Sequence, residues 1–200
     1  MAIVPYLGHD DVEQQYQHLL ARPINLFTAL INSPDGFAHF HAFAEWIRWD
    51  ASLDPRLREL AILLVGYLTG DEYEWSHHLR LRDQFGVTDG DVAGLIAFAE
   101  SRPSSLGNTE RLVLEATRQL TNARGIDDDV VARLTAEFSN AEVTELVLIT
   151  AFYSMVVRVL GGLRIEVEPE YRLHLEQFPL PQPRGLPRPT AEPLGSGAER

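Results

Sequence analysis

The sequence predicts an all-α fold. Apolar residues recur at helical spacing through most of the 200-residue chain, and no segment sustains the period-2 alternation of a half-buried strand. The punctuation agrees with helices. Asp54-Pro55 is an N-cap followed by a proline suited to a first helical turn, Gly70 and Gly86 suit left-handed C-terminal positions, and Ser101 to Ser105 (SRPSS) reads as a loop.

Taken in order, the apolar periodicity places helices at 10–21, 24–31 and 35–50, and then at 55–69, where Asp54 caps and Gly70 stops the run. That fourth helix is apolar nearly all round, through Leu57, Leu60 to Val65, Tyr67 and Leu68, so it is expected to be enclosed by other helices. Glu59 shares a stripe of it with Ile62, Leu63 and Gly66. A mid-helix glycine costs about 1 kcal/mol relative to alanine unless close approach repays it. A tightly packed stripe is therefore expected. Helices follow at 71–85, ended by Gly86, and at 88–100, 108–123, 128–138 and 141–162. Two stretches echo each other 86 residues apart, RELAILLVGY (58–67) and TELVLITAFY (144–153), which suggests two related helical hairpins.

Length and composition fit one helical domain over residues 1–177. From Phe178 the chain changes to FPLPQPRGLPRPTAEPLGSGAER, where six of the twelve prolines fall in 23 residues. A flexible or polyproline-like tail over 178–200 is expected, in a position to lie along a partner subunit.

Seventeen Lys plus Arg against 29 Asp plus Glu give a net charge of -12, which repels phosphate backbones and anionic membranes. No nucleic-acid or membrane partner is expected. With no cysteine, thiolate nucleophiles, disulfides and Cys-ligated zinc are excluded. The start MAIVPYLGHDD lacks the pattern of a signal peptide, and the longest uncharged apolar run, residues 146–157, is shorter than the roughly 18 to 20 residues of a bilayer span. The expectation is a cytoplasmic protein.

The chemistry concentrates in EYEWSHH, residues 72–78. On a helix, Glu74 stands beside His78 and Tyr73 beside His77. A carboxylate in an apolar stripe, as at Glu59, is paired or protonated, and imidazole titrates near neutrality, so Glu59, Tyr73, Glu74 and His78 could relay a proton across a hairpin. Blander roles compete. Thr69-x-x-Glu72 and Asp71-x-x-Glu74 both fit a capping box, Glu59 suits a helix N-terminus, and Trp75 followed by Leu79 suits a core. Glu74-x-x-His77 matches a di-iron spacing without the second copy that a di-iron site needs, so no metal is expected. His9, His18, His39, His41 and His174 are placed on the surface or in loops. No Gly-rich phosphate loop or Gly-x-Ser-x-Gly elbow is present.

The run DPRLRELAILLVGYLTGDEYEWSHHLRLRDQFGVTDGDVAGL (54–95) resembles the core of the carboxymuconolactone decarboxylase and AhpD-like superfamily, with looser resemblance over about 26–165. The resemblance implies an all-helical fold, assembly into trimers or hexamers, and a site between the two helices of the hairpin. In the hydroperoxidase branch a Cys-x-x-Cys pair precedes the histidine; here Asp71 and Glu74 occupy those positions, with Tyr73 between them, so disulfide cycling is closed to this chain. The decarboxylase branch resembles it better. There the resemblance implies a cofactor-free lyase or isomerase acting on a small molecule, with Glu74 and His78 as acid and base, Glu59 and Tyr73 in support, and Asp71, Trp75 and His77 against the substrate. Only Arg58, Arg80 and Arg82 lie near the motif to meet an anionic lactone, which favours a less charged compound. The rivals are a non-catalytic small-molecule-binding oligomer and a hydroperoxide-linked protein that uses a partner's thiols.

Overall fold

A computed structural model describes residues 1–123 and 125–181. Most of the expected Pro-rich tail, 182–200, lies outside the described residues. Among the described residues the regular structure is helical throughout: α1 (Asn25–Leu30), α2 (Pro34–Trp49), α3 (Pro55–Thr69), α4 (Glu72–Leu81), α5 (Asp89–Ala99), α6 (Asn108–Asn122), α7 (Asp128–Glu137), α8 (Asn140–Leu163) and α9 (Arg172–Gln177).

α3 is the axis of the fold, buried without a break from Leu57 to Tyr67. Asp54 caps it by accepting from the backbone N–H groups of Arg56 and Leu57, and Gly70 ends it at φ 65°. One side of α3, with Ala61, Ile62 and Val65, meets the core that includes Leu112 and Val113 of α6 and Ile149, Phe152 and Val156 of α8. Its other side, with Leu60, Leu63, Leu64 and Tyr67, meets Trp75 and Leu79 of α4 and Val92 and Leu95 of α5. The echoed stretches thus lie on α3 and α8, which pack together. α8 runs on unbroken to Leu163, so the polar turn at Gly70 has no counterpart there.

The tight stripe expected around Gly66 is present. A Cβ added to Gly66 would lie 3.1 Å from the Trp75 backbone nitrogen and 3.3 Å from its Cα, so α3 and α4 approach backbone to backbone. Gly66→Ala is expected to push the hairpin apart and cost about 1–3 kcal/mol, the usual range for overpacking. Thermal or urea unfolding measures this, and an unchanged midpoint would contradict the close approach.

Three elements differ from expectation. Residues 10–21 form 3-10 turns at His9–Asp11 and Gln14–Leu20 rather than an α-helix, because Val12, Leu19 and Leu20 are too few buried residues to make a helical stripe. The helix expected over 71–85 is α only to Leu81, then 3-10 over Arg82–Phe85 up to the left-handed Gly86 (φ 79°). The short α9 was not anticipated. It packs over α4 and buries His174, which the sequence placed at the surface. Immediately after it, the Phe178 carbonyl accepts from Trp75 Nε1 at 2.7 Å, anchoring the start of the expected tail on the body of the same chain.

α8 is 24 residues long and, by length and composition, apolar enough to cross a membrane. The expectation from sequence considered only uncharged runs, and Arg158 interrupts this one. In the fold, Leu146, Ile149, Phe152, Tyr153, Val156 and Leu160 form the buried side of α8, while Leu148 and Met155 face outward.

Candidate active site

The α3–α4 turn sets the site. Asp71 caps α4 by accepting from the Glu74 backbone N–H at 2.9 Å, and the Glu74 side chain turns inward instead of closing a capping box. One helical turn on, His78 Nε2 lies 3.0 Å from Glu74 Oε1, an atom with no other polar partner among the described residues. On its far side His78 Nδ1 lies 2.8 Å from Glu59 Oε1, which reaches across from α3. One imidazole is thus held between two carboxylates, all three buried. Burial disfavours the imidazolium, but the charges of Glu59 and Glu74 outweigh burial and push His78 up to about 9. At neutral pH His78 is therefore a cation.

A tight pocket with a free cavity volume of about 40 Å³ lies over this group. Its lining includes Tyr73, Glu74, His77 and His78 of α4, with Phe27, Phe40, Phe152 and Tyr153 as aromatic walls. The edge of the Tyr153 ring stands against the His78 ring at 5.1 Å, and burial followed by the charge of Glu74 holds its phenol above the ordinary range. Glu59 does not line the pocket; it grips His78 from behind.

Two arginines complete the wall, and neither was among the sequence candidates. Arg22 and Arg48 both line the pocket. The Arg22 guanidinium makes no ion pair or hydrogen bond with a described residue, and its Nε is sealed from solvent without a partner. Burial lowers its pKa from the ordinary arginine range. Arg48 is 3.0 Å from Glu45. The arginines that the sequence put forward are used elsewhere. Arg58 is buried, donating to the carbonyls of Arg48, Ala51 and Leu53, Arg82 binds Asp89, and Arg80 is exposed.

Of the expected substrate contacts, only His77 lines the pocket. Trp75 is fully buried in the second core, edge-on to Tyr67, with its indole nitrogen on Phe178. It points away from the pocket because α4 turns alternate faces to α3 and to the cavity. Asp71 stands at the helix start as a cap. Tyr73 presents its ring to the pocket, but its hydroxyl donates to Glu168 (3.1 Å) and accepts from the Leu26 N–H (3.0 Å), tying α4 to α1 instead of joining Glu74 and His78. Among the described residues no set of three His, Asp or Glu side chains is placed to hold a metal ion.

Residues 34–119 match the carboxymuconolactone decarboxylase family, a segment that contains Glu59, Glu74 and His78. No curated protein matches the sequence. Among solved structures, a peroxidase-related protein of Ralstonia eutropha with an alkylhydroperoxidase AhpD core is 18% identical with a TM-score of 0.74, over 86% of this chain and 95% of that one. The debrominase Bmp8 in complex with 2,3,4-tribromopyrrole is 19% identical, TM-score 0.72, over 88% of this chain and 97% of that one. A peroxidase-related protein from a Silicibacter species is 19% identical, TM-score 0.65, over 79% and 83%. At these identities the likeness speaks for the fold. The stretch of chain that brings Glu59, Glu74 and His78 together is thus the stretch that matches the carboxymuconolactone decarboxylase family, set in an all-α fold like that of the AhpD core.

Proposed function

We propose that this protein is a cofactor-free acid/base enzyme, a lyase or isomerase that moves a proton on a small lactone, enol or other activated carbon acid. The observation that carries the reading is His78 clamped between Glu59 and Glu74 at the wall of a small aromatic pocket. A cationic imidazole beside a carboxylate gives one proton donor and one acceptor within a single turn. Glu74 takes the proton from carbon, and the electron pair left behind moves to the neighbouring oxygen. His78 then supplies a proton to that oxygen or to a second carbon. Glu59 holds the ring at Nδ1 and stabilises its charge. Burial of Glu59, Glu74 and His78 strengthens each of these interactions relative to water.

The cations Arg22 and Arg48 favour a substrate that carries an anionic group, held on the wall shared with Phe27 and Phe40. The net charge of -12 opposes long-range attraction of such a substrate, so capture depends on these two local charges. Hydroperoxide reduction by a thiol of this chain is closed, since it contains no cysteine.

Turnover on a panel of small lactones and enols tests the reading. Glu74→Gln is nearly isosteric and removes the acceptor charge, so it is expected to lower turnover by about 10² or more while the circular dichroism spectrum is retained. Full turnover in the folded variant would remove Glu74 from the chemistry. A ligand that raises the melting temperature while no product forms would mark a binding protein instead.

A further inference from the structure

His77 adjoins His78 in sequence but sits in a different environment. Its ring is sandwiched between Tyr73, with centroids 4.0 Å apart, and Tyr171 from the segment before α9, 3.6 Å away, both nearly parallel to it. Its Nε2 lies 2.8 Å from Glu168 Oε2. Glu168 is itself fixed, because its Oε1 accepts from the Asn25 N–H at 2.6 Å and from the Tyr73 hydroxyl at 3.1 Å. No sequence pattern had marked Glu168, which lies 91 residues from His77.

Burial, together with the hydrogen bond from His77, governs Glu168: burial raises its pKa, and the bonds from His77 and Asn25 more than reverse that, leaving it below the ordinary range. An ionised carboxylate only accepts, so the ring hydrogen of His77 belongs on Nε2. Burial lowers the pKa of His77, against the opposing pull of Glu168, so the ring is neutral near pH 7. Nδ1 then keeps a bare lone pair, and it has no hydrogen-bond partner among the described residues. The other ionisable groups around the ring are Tyr73, Glu74 and His78 on its own helix, Tyr171 and Glu168 on the C-terminal segment, and His174 on α9.

We propose that His77 is a base of the pocket, offering its Nδ1 lone pair to a substrate proton, with Glu168 as the positioning residue that fixes its ring and tautomer. Two adjacent histidines then hold opposite protonation states, a donor at His78 and an acceptor at His77. For a substrate whose acidic C–H meets His77 rather than Glu74, that bond breaks, the proton moves to Nδ1, and the electron pair remains on the substrate as an enolate. His78 protonates the enolate at oxygen or at a second carbon, and both rings return to their starting states by exchanging protons with water. The catalytic part of this proposal rests on the acid/base reading above, whereas the state of the His77 ring can be measured without any substrate.

The test is nitrogen-15 NMR of the histidine rings in the full chain near pH 7, followed by diethyl pyrocarbonate labelling with peptide mapping. The wild-type ring of His77 is expected to carry its hydrogen on Nε2, and the residue is expected to be acylated while the imidazolium of His78 is not. In Glu168→Gln the side-chain oxygen must still accept from Asn25 and Tyr73, which turns the amide NH2 toward His77. Nε2 must then accept, the hydrogen shifts to Nδ1, and His77 acylation should slow by about tenfold or more. A wild-type hydrogen on Nδ1, an unreactive His77, or a folded Glu168→Gln variant with the wild-type tautomer and rate would each overturn the proposal. A reactive, correctly protonated His77 in a protein that turns over no lactone or enol would instead sink the acid/base function and leave the ring geometry standing.

Discussion

Replacing His78 with glutamine is expected to lower turnover by about 10²–10⁴, the usual contribution of a positioned general acid or base. Glutamine fills much of the same space and can donate to one of the two flanking carboxylates, but it carries no charge and cannot deliver a proton. The variant should also alter the pH dependence of stability. In the wild type the folded-state pKa of His78 is raised to about 9 by Glu59 and Glu74 acting against burial, from an unfolded value of about 6.5. The sign follows from linkage: the stabilisation is fully present below about pH 6.5 and is lost progressively as pH rises through about 9. Urea unfolding between these values should show falling wild-type stability and a flatter curve for His78→Gln, whose glutamine does not titrate. Matching curves for the two proteins would mean that His78 is not held as a cation between the carboxylates. In activity, the acid limb should fail above about pH 9 because the ring then has no proton to give.

Trp75→Ala carries the largest expected effect on stability, a loss of about 3–5 kcal/mol, the range for deleting a large buried aromatic side chain. Trp75 is fully buried between α3 and α5, packs edge-on to Tyr67 at 5.3 Å, and donates to the Phe178 carbonyl across 103 residues of sequence. Removal leaves a cavity on the side of α4 opposite the pocket and frees the carbonyl that fixes the chain after α9. Denaturant unfolding measures the loss, and limited proteolysis around residues 178–181 should accelerate. A loss below about 1 kcal/mol would show that Trp75 is not held as a core residue. Trp75→Phe should recover most of the packing but not the hydrogen bond to Phe178, which separates the two contributions.

Local spacing along the chain accounts accurately for the hairpin. Four-residue spacing on α4 placed Glu74 against His78 and Tyr73 against His77, and those contacts are present at 3.0 Å and 4.0 Å. The glycine at position 66 pointed to a close approach before its partner was known, and the backbone of Trp75 is that partner. The same reasoning was weaker at 10–21, where the helical pattern lacked enough apolar residues to hold a stripe, and at α9, which is too short for periodicity to show. It also named only the arginines near the motif in sequence. Arg58, Arg80 and Arg82 are near the motif in sequence, but proximity along a helix says nothing of which side faces a cavity, and carbonyls, Asp89 and solvent hold these three.

The sequence by itself determined the all-α class, the axis formed by α3, the absence of thiol chemistry and the acid–imidazole pairing within α4, since each depends on composition or on spacing within about one helical turn. Tertiary structure alone decided which groups share the pocket. Arg22 arrives from the chain before α1 and Tyr153 from α8, while Glu168, 91 residues beyond His77, holds that ring from outside the lining. Their placement follows from how the helices stack around α3, and helix packing is settled by the mutual fit of whole surfaces, which no local spacing encodes.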